Sequence, residues 1–305
     1  MNVQSRPQAI LCSVAHNRTV LFGRINRRQM SGQAALGERT FADDMGALAE
    51  SCLTRAVTND RKYGSREWIA ADLSVDPHGT FLTGILGYTV RDQFRSFDEG
   101  AWSWVKGETL NATGATAVTV VPFAVDLSEH GRWVGFATSQ SIRQQAFSDG
   151  FSAVLNEAVK RLDLWPTDWE FDLVVSRTKV RSWIADNPNV VRMVRRLQHS
   201  NPGRDLDSDR RYMRSLGATS MEETYKAAKN ERLDTASQAF EEKLIGLETG
   251  DASINLWAQP EDGGQKVLFK SDTKSDSASV DEFGANLTNG MELVQRALAD
   301  YIASK

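Results

Sequence analysis

Cysteine and histidine are scarce in this chain, and their scarcity excludes several classes of function. The 2 cysteines, Cys12 and Cys52, are far apart and have no histidine at metal-ligand spacing, which argues against a disulfide framework and a zinc site. The 4 histidines, His16, His78, His130 and His199, are scattered singly, so each reads as a surface or capping residue rather than a member of a catalytic pair. No apolar run is long enough to span a bilayer, and the stretch Ala9 to Val14 is too short for a signal core. Glycine-rich phosphate loops of the GxxxxGK[ST] and GxGxxG types are missing, as are HExxH and GxSxG. Nucleotide hydrolysis, zinc hydrolysis and α/β-hydrolase chemistry therefore lose their usual sequence support. The expectation is a cytoplasmic protein without catalytic residues, metal or cofactor.

What the chain does contain is a polarised distribution of charge. Its 305 residues, 41% hydrophobic and 25% charged, can bury a sizeable core and are enough for two domains. The overall charge is −4, yet the window Ser176 to Arg232 carries 13 Lys+Arg against 7 Asp+Glu. Arg192, Arg195 and Arg196 cluster, with His199 beyond them. Arg210, Arg211 and Arg214 form a second cluster after an acidic opening, and Arg177, Lys179, Arg181 and Arg204 extend the track. Such clusters neutralise phosphates and release counterions, giving salt-sensitive, sequence-independent affinity for nucleic acid. The alternative is a solvated helix face.

Periodicity predicts an α+β protein. Ala9 to Val14 and Thr19 to Arg24 read as a hairpin, Phe41 to Val57 as a helix, and Glu67 to Val75 with Thr80 to Val90 as a second hairpin around Asp76-Pro77-His78-Gly79. Ala115 to Val125 and Arg132 to Ala137 read as strands, with Pro122 best placed at an edge or a strand end. A long helix, interrupted in its apolar stripe only by Gly150, follows from about 141 to 163, and then a strand from Glu170 to Ser176. The basic window is expected to be several short helices punctuated by Asn187-Pro188 and Asn201-Pro202-Gly203. Ser253 to Ala258 and Lys266 to Lys270 form a hairpin, Ser271 to Ser279 a polar mobile loop, and Thr288 to Ile302 a closing helix. The predicted division is an N-terminal domain, 1–138, of mostly antiparallel sheet with a helix, and a mixed helical and β C-terminal domain, 139–305, helix-rich and containing the basic window 176–232.

Other chemistry is weaker. The pairs Asp43/Asp44, Glu222/Glu223 and Glu241/Glu242 could contribute to a divalent-metal site of a nuclease, but neighbouring side chains on a helix diverge, which favours capping or solvation. Phe94, Phe97, Trp102 and Trp104, interleaved with Arg91, Arg95 and Lys106, fit either core packing or base stacking. Trp183 is the better stacking candidate, because it lies between Arg181 and the Arg192 cluster.

The order of features from Ser141 to Leu233 resembles the RexA-like phage-exclusion and anti-phage DNA-binding proteins. It comprises a long helix (Ser141 to Asp163), the strand Phe171-Asp172-Leu173-Val174-Val175, a basic helical stretch, Asn201-Pro202, and the passage Tyr225-Lys226-Ala227-Ala228-Lys229-Asn230-Glu231-Arg232-Leu233. The resemblance implies a cytoplasmic homodimer that binds double-stranded DNA with little sequence preference in an abortive response to phage, with a possible membrane effector partner. On this reading Arg192, Arg195 and Arg196 contact phosphates from one helix and Arg210, Arg211 and Arg214 from another. Two rivals stand beside it: a metal-dependent nuclease, and an interaction subunit whose basic window docks an acidic protein surface, including the chain's own N-terminal half.

Overall fold

The computed structural model describes residues 17–28, 41–50, 55–60, 64–90, 95–98, 103–106, 119–128, 131–161, 168–198, 207–218, 220–260 and 263–305. The N-terminal hydrophobic positions fall on β1 (Arg18–Arg28), α1 (Phe41–Glu50), β2 (Arg55–Asp60), β3 (Gly64–Val75) and β4 (Phe81–Val90). A small ribbon, β5 (Arg95–Asp98) with β6 (Ser103–Lys106), precedes β7 (Thr119–Asp126), β8 (Trp133–Ala137), α2 (Gln144–Arg161) and β9 (Asp168–Leu173). The chain then forms α3 (Arg177–Asp186), β10 (Val190–Gln198), α4 (Asp207–Ser215), β11 (Ser220–Lys226) and α5 (Gln238–Lys243). It ends with β12 (Ala252–Ala258), β13 (Val267–Lys270), a 3-10 turn (Ser271–Thr273), β14 (Ser277–Val280) and α6 (Leu287–Ala303). No helix among the described residues is long and apolar enough to cross a membrane.

The expected α+β class is the observed one, with a large antiparallel sheet in order β14-β1-β8-β7-β4-β3-β2 and β9 also on β1. Helices α1 and α2 cover one face, where Phe136 stacks on Phe147 at 3.8 Å and Phe123 meets Phe151 edge-on at 5.2 Å. On the other face α6 buries Val294 and Leu298 against Val20, Phe22 and Ala124, with Tyr301 stacked on Phe22 at 4.2 Å.

Helix α2 also closes a sheet edge. Its polar residues Ser148, Ser152 and Asn156 recur every fourth position, so they share one face of the helix. Ser148 donates to the Phe171 carbonyl at 2.7 Å, Ser152 accepts from the Phe171 N–H at 3.1 Å, and Asn156 both donates to the Trp169 carbonyl (3.0 Å) and accepts its N–H (2.8 Å). The stripe takes the place of a further strand and leaves β9 no free edge at these residues.

Strand β1 organises the whole chain. It pairs β8 along Val20–Arg24, β14 along Arg18–Leu21 and β9 along Gly23–Arg28. Because the β8 pairing overlaps both others, β14 and β9 lie end to end on the opposite edge of β1. Residues 174–276 therefore leave and rejoin the large sheet at one point, and within them a second antiparallel sheet forms in order β11-β10-β12-β13. The joint is tied by the Asp276 N–H donating to the Val174 carbonyl at 2.8 Å. The Asp276 carboxylate accepts from the Ser176 N–H (3.0 Å), the Tyr301 hydroxyl (2.8 Å) and Lys305 (3.4 Å), and is ion-paired with Lys179 at 3.6 Å. Burial and the Asp276 charge hold the Tyr301 phenol well above its ordinary pKa.

Several expectations are corrected. The boundary near 138–141 separates β8 from α2, which belong to the same sheet-and-helix unit; the second unit is the insertion 174–276. The helix expected to reach 57 is described over Phe41–Glu50, and Arg55–Asp60, the end of the expected span, pairs with β3 instead, as the β-branched Val57 and Thr58 favour. Pro122 stands inside the sheet opposite Ile85, one residue beyond the last pair with β8 (Phe123 with Phe136), so no β8 ladder bond is lost there. The supposed mobile loop Ser271–Ser279 holds a 3-10 turn, the start of β14 and the buried Asp276. Ala9 to Val14 lies outside the described residues.

The glycine in the α2 stripe has a steric reason: a Cβ at Gly150 would collide with the buried Trp68 ring. Gly150→Ala gains about 1 kcal/mol of helix propensity but overpacks this contact, for which about 1–3 kcal/mol is a typical loss. Net destabilisation in urea unfolding is the expected outcome, and a more stable variant would show that α2 shifts freely on the sheet.

Candidate nucleic-acid interface

The fold distributes the basic window among partners that the sequence does not reveal. Arg177, Lys179, Arg181 and Trp183 lie on a helix as expected, α3, capped by the Ser176 hydroxyl accepting the Lys179 N–H. Each cation on that helix meets an acid from further along the chain. Arg177 pairs with Glu248 at 3.1 Å, Lys179 with Asp276, and Arg181 with Glu241 while donating to the Thr235 carbonyl at 2.6 Å. Trp183 packs into the core of the inserted unit, its ring 5.5 Å from that of Phe269, and is not a stacking platform.

Arg192, Arg195 and Arg196 are on a strand, not a helix. β10 is an inner strand of the second sheet, so its side chains alternate between faces. Met193, Arg195 and Leu197 point to the face covered by α3, α4 and α5, where Val180, Ile184, Met213, Phe240 and Leu244 complete the core. Arg195 is 1% exposed and ion-paired at 3.1 Å with both Asp209 of α4 and Glu223 of β11. It is a structural cation, unavailable to a phosphate. Asp209 lies in the first turn of α4, in the acidic opening before the second arginine cluster, and is also Arg195's partner.

The opposite face of this sheet is built in three rows by the strand register. Lys226, Arg192, Trp257 and Leu268 stand side by side; next come Thr224, Val194, Asn255 and Lys270, then Glu222, Arg196 and Ser253. None of these residues belongs to a hydrophobic cluster of the described residues; Lys226, Leu268, Lys270 and Arg196 are exposed, Arg192 and Trp257 are half-buried, and Val194 between them and the third row is buried. Arg196, with its side chain 61% exposed, pairs with Glu222 at 2.6 Å. Arg192, Lys226 and Lys270 have no ion pair among the described residues. The Arg192 guanidinium lies over the Trp257 ring at 4.5 Å and donates no hydrogen bond to a described residue; its Nε is buried without a partner.

Beside the third row, a polar cleft of about 1090 Å³ separates the inserted sheet from α2 and β9. Asp149, Glu170, Asp172, Asp251 and Asp272 outnumber Arg66 and Arg196 along it, so its electrostatic field disfavours phosphate. The positive face thus ends where the cleft begins.

The remaining candidates are placed as follows. Arg210, Arg211 and Arg214 share α4, a helix as expected, anchored by buried Met213 with Arg211 and Tyr212 exposed. His199 and Arg204 lie outside the described residues, as do Phe94 and Trp102. Among the described residues no three His, Cys, Asp or Glu side chains gather to hold a metal. The paired carboxylates diverge: Asp44 accepts from the Trp169 indole at 2.7 Å, while Glu222 and Glu223 occupy opposite sheet faces. Sequence reasoning missed Lys226, Trp257 and Lys270. The density of β-branched residues, Val190, Val191 and Val194, directly after Asn187-Pro188 was the available signal that Arg192 to Arg196 is a strand.

Glu223 shows how the Arg195 cluster responds to pH. Burial alone would raise its carboxyl, but hydrogen bonds from Lys243 (3.0 Å), Arg195 and Tyr225 hold it below the ordinary value. A depressed carboxylate contributes stability that is present above its unfolded pKa and lost as pH falls through the folded one. Lys243 behaves conversely: burial lowers it, yet Tyr225 and Glu223 raise it overall, so its contribution is lost as pH rises through the folded value. Glu223→Gln is expected to reduce unfolding free energy at pH 7 and to converge on wild type as the pH falls below the carboxylate range. Urea unfolding across pH checks this; a constant gap at all acidic pH values would remove the ion pair as the cause.

Protein-family models, curated proteins and solved structures were each compared with the chain, and none matches it.

Proposed function

We propose that the protein binds nucleic acid without catalysing a reaction, through the open face of the β11-β10-β12-β13 sheet. The observation that carries this reading is Arg192, its guanidinium over the Trp257 ring and without a hydrogen bond to a described residue, beside Lys226 on β11 and two strands from Lys270 on β13, with no carboxylate among the described residues paired to any of the three. Arg192 and Lys226 stand directly opposite one another across two strands. A like-charge pair in that position is destabilising by itself, and a polyanion converts the penalty into binding energy. The planar guanidinium suits bidentate contact with phosphate. Resemblance to RexA-like proteins adds the setting, a homodimer in phage exclusion with a membrane effector as a further partner, and implies double-stranded DNA as the ligand; the chemistry of this face argues instead for an unpaired strand, as developed below.

The test is electrostatic. Replacing Arg192, Lys226 and Lys270 together with Ala is expected to weaken binding to unrelated sequences alike. It should also flatten the log-affinity versus log-salt slope by about 0.7–0.9 per lost phosphate contact. Replacing Arg177, Lys179 and Arg181 is expected to leave that slope unchanged, because those cations face acids. Wild-type slope in the first variant would remove this face as the site. Magnesium-dependent cleavage of the probe would favour the nuclease.

A further inference from the structure

We infer that the open sheet face takes an unpaired nucleic-acid strand, with a base stacked at Trp257 and the backbone held by the surrounding cations. This rests on the nucleic-acid reading and specifies its ligand class. The argument comes from how apolar and charged groups alternate on the face. Across the first row, cationic Lys226 and Arg192 give way to the apolar rings and methyls of Trp257 and Leu268; in the second row Val194 lies between Thr224 and Asn255, with Lys270 at the far edge.

A duplex presents phosphates and sugars to a flat surface and keeps its base faces stacked inside. Laid on this face it would press phosphates onto Trp257 and Leu268 and leave those apolar groups without a use. An unpaired strand has base faces to offer, and aromatic and guanidinium planes stack them regardless of sequence. Arg192 covers one face of the Trp257 ring, its Cζ 4.5 Å from the ring centroid, so a base would stack on an outer plane of the pair. Thr224 and Asn255 provide donors and acceptors for base edges beside it.

The surroundings also set the path. Neighbouring strands lie about 4.8 Å apart, so the first row is roughly 14 Å long, room for a few nucleotides. The acidic cleft beyond Ser253 repels the backbone, which therefore runs across the strands, along the first two rows, rather than down towards α2.

The experiment is fluorescence anisotropy on the full chain with a labelled dT20 strand and a labelled 20-base-pair duplex of mixed sequence, at two salt concentrations. Wild type is expected to bind dT20 at least tenfold more tightly than the duplex. Trp257→Ala should weaken dT20 binding about five- to a hundredfold with the salt slope unchanged, and Trp257→Phe should retain most of the affinity. Equal or tighter wild-type binding to the duplex overturns the inference while preserving the nucleic-acid reading, and needs no variant to fold. Unchanged dT20 affinity in Trp257→Ala overturns it as well. Absence of binding to both probes overturns the nucleic-acid reading itself.

Discussion

The joint at Val174 and Asp276 is the constraint on which the arrangement of the molecule depends. One backbone hydrogen bond of 2.8 Å brings the two ends of a hundred-residue insertion together beside Phe22 of β1. One buried carboxylate then gathers the start of α3, the Tyr301 hydroxyl of α6 and two lysines. A carboxylate with four donors around it is compensated for its burial, whereas the same group without them would be strongly unfavourable. Since β9 and β14 share one edge of β1, the inserted sheet is held where its third row borders the cleft beside α2.

The same economy governs the cations. A guanidinium in a core needs carboxylates, and Arg195 finds Asp209 and Glu223, the latter shared with Lys243. Helix α3 is tied to Glu241, Glu248 and Asp276. Local excess of positive charge along the chain is therefore a poor guide to positive surface. The cations without an ion pair among the described residues, Arg192, Lys226 and Lys270, carry the proposed function, and these come from three different strands.

Alternation on β10 makes this separation sharp. Shifting from a helical to a strand period moves Arg195 to the face opposite Arg192 and Arg196, so a cluster that looks contiguous along the chain splits into one buried structural residue on one face and, on the other, the half-buried Arg192 and the exposed Arg196. Those two are not equivalent either. Arg196 is partnered by Glu222 at the cleft side, while Arg192 is braced by an indole and has no ion pair among the described residues.

Local patterning was enough to reveal the α+β class, the hairpin around Asp76-Pro77-His78-Gly79, helices α2 and α6, and the β12–β13 hairpin, because turn chemistry and long amphipathic stripes act over neighbouring residues. It was also enough to mark 176–232 as rich in positive charge. It could not distinguish a helix from a strand in Val190–Gln198, where a short run mixes arginine and valine and both periods fit. Nor could it show the insertion, because β9 and β14 lie far apart along the chain and meet through their common partner β1 and the Val174–Asp276 hydrogen bond. Which arginines are neutralised, and that Trp257 and Lys270 stand beside Arg192, were decided by tertiary structure: strand register and ion pairing act between residues far apart along the chain, where no local pattern records them.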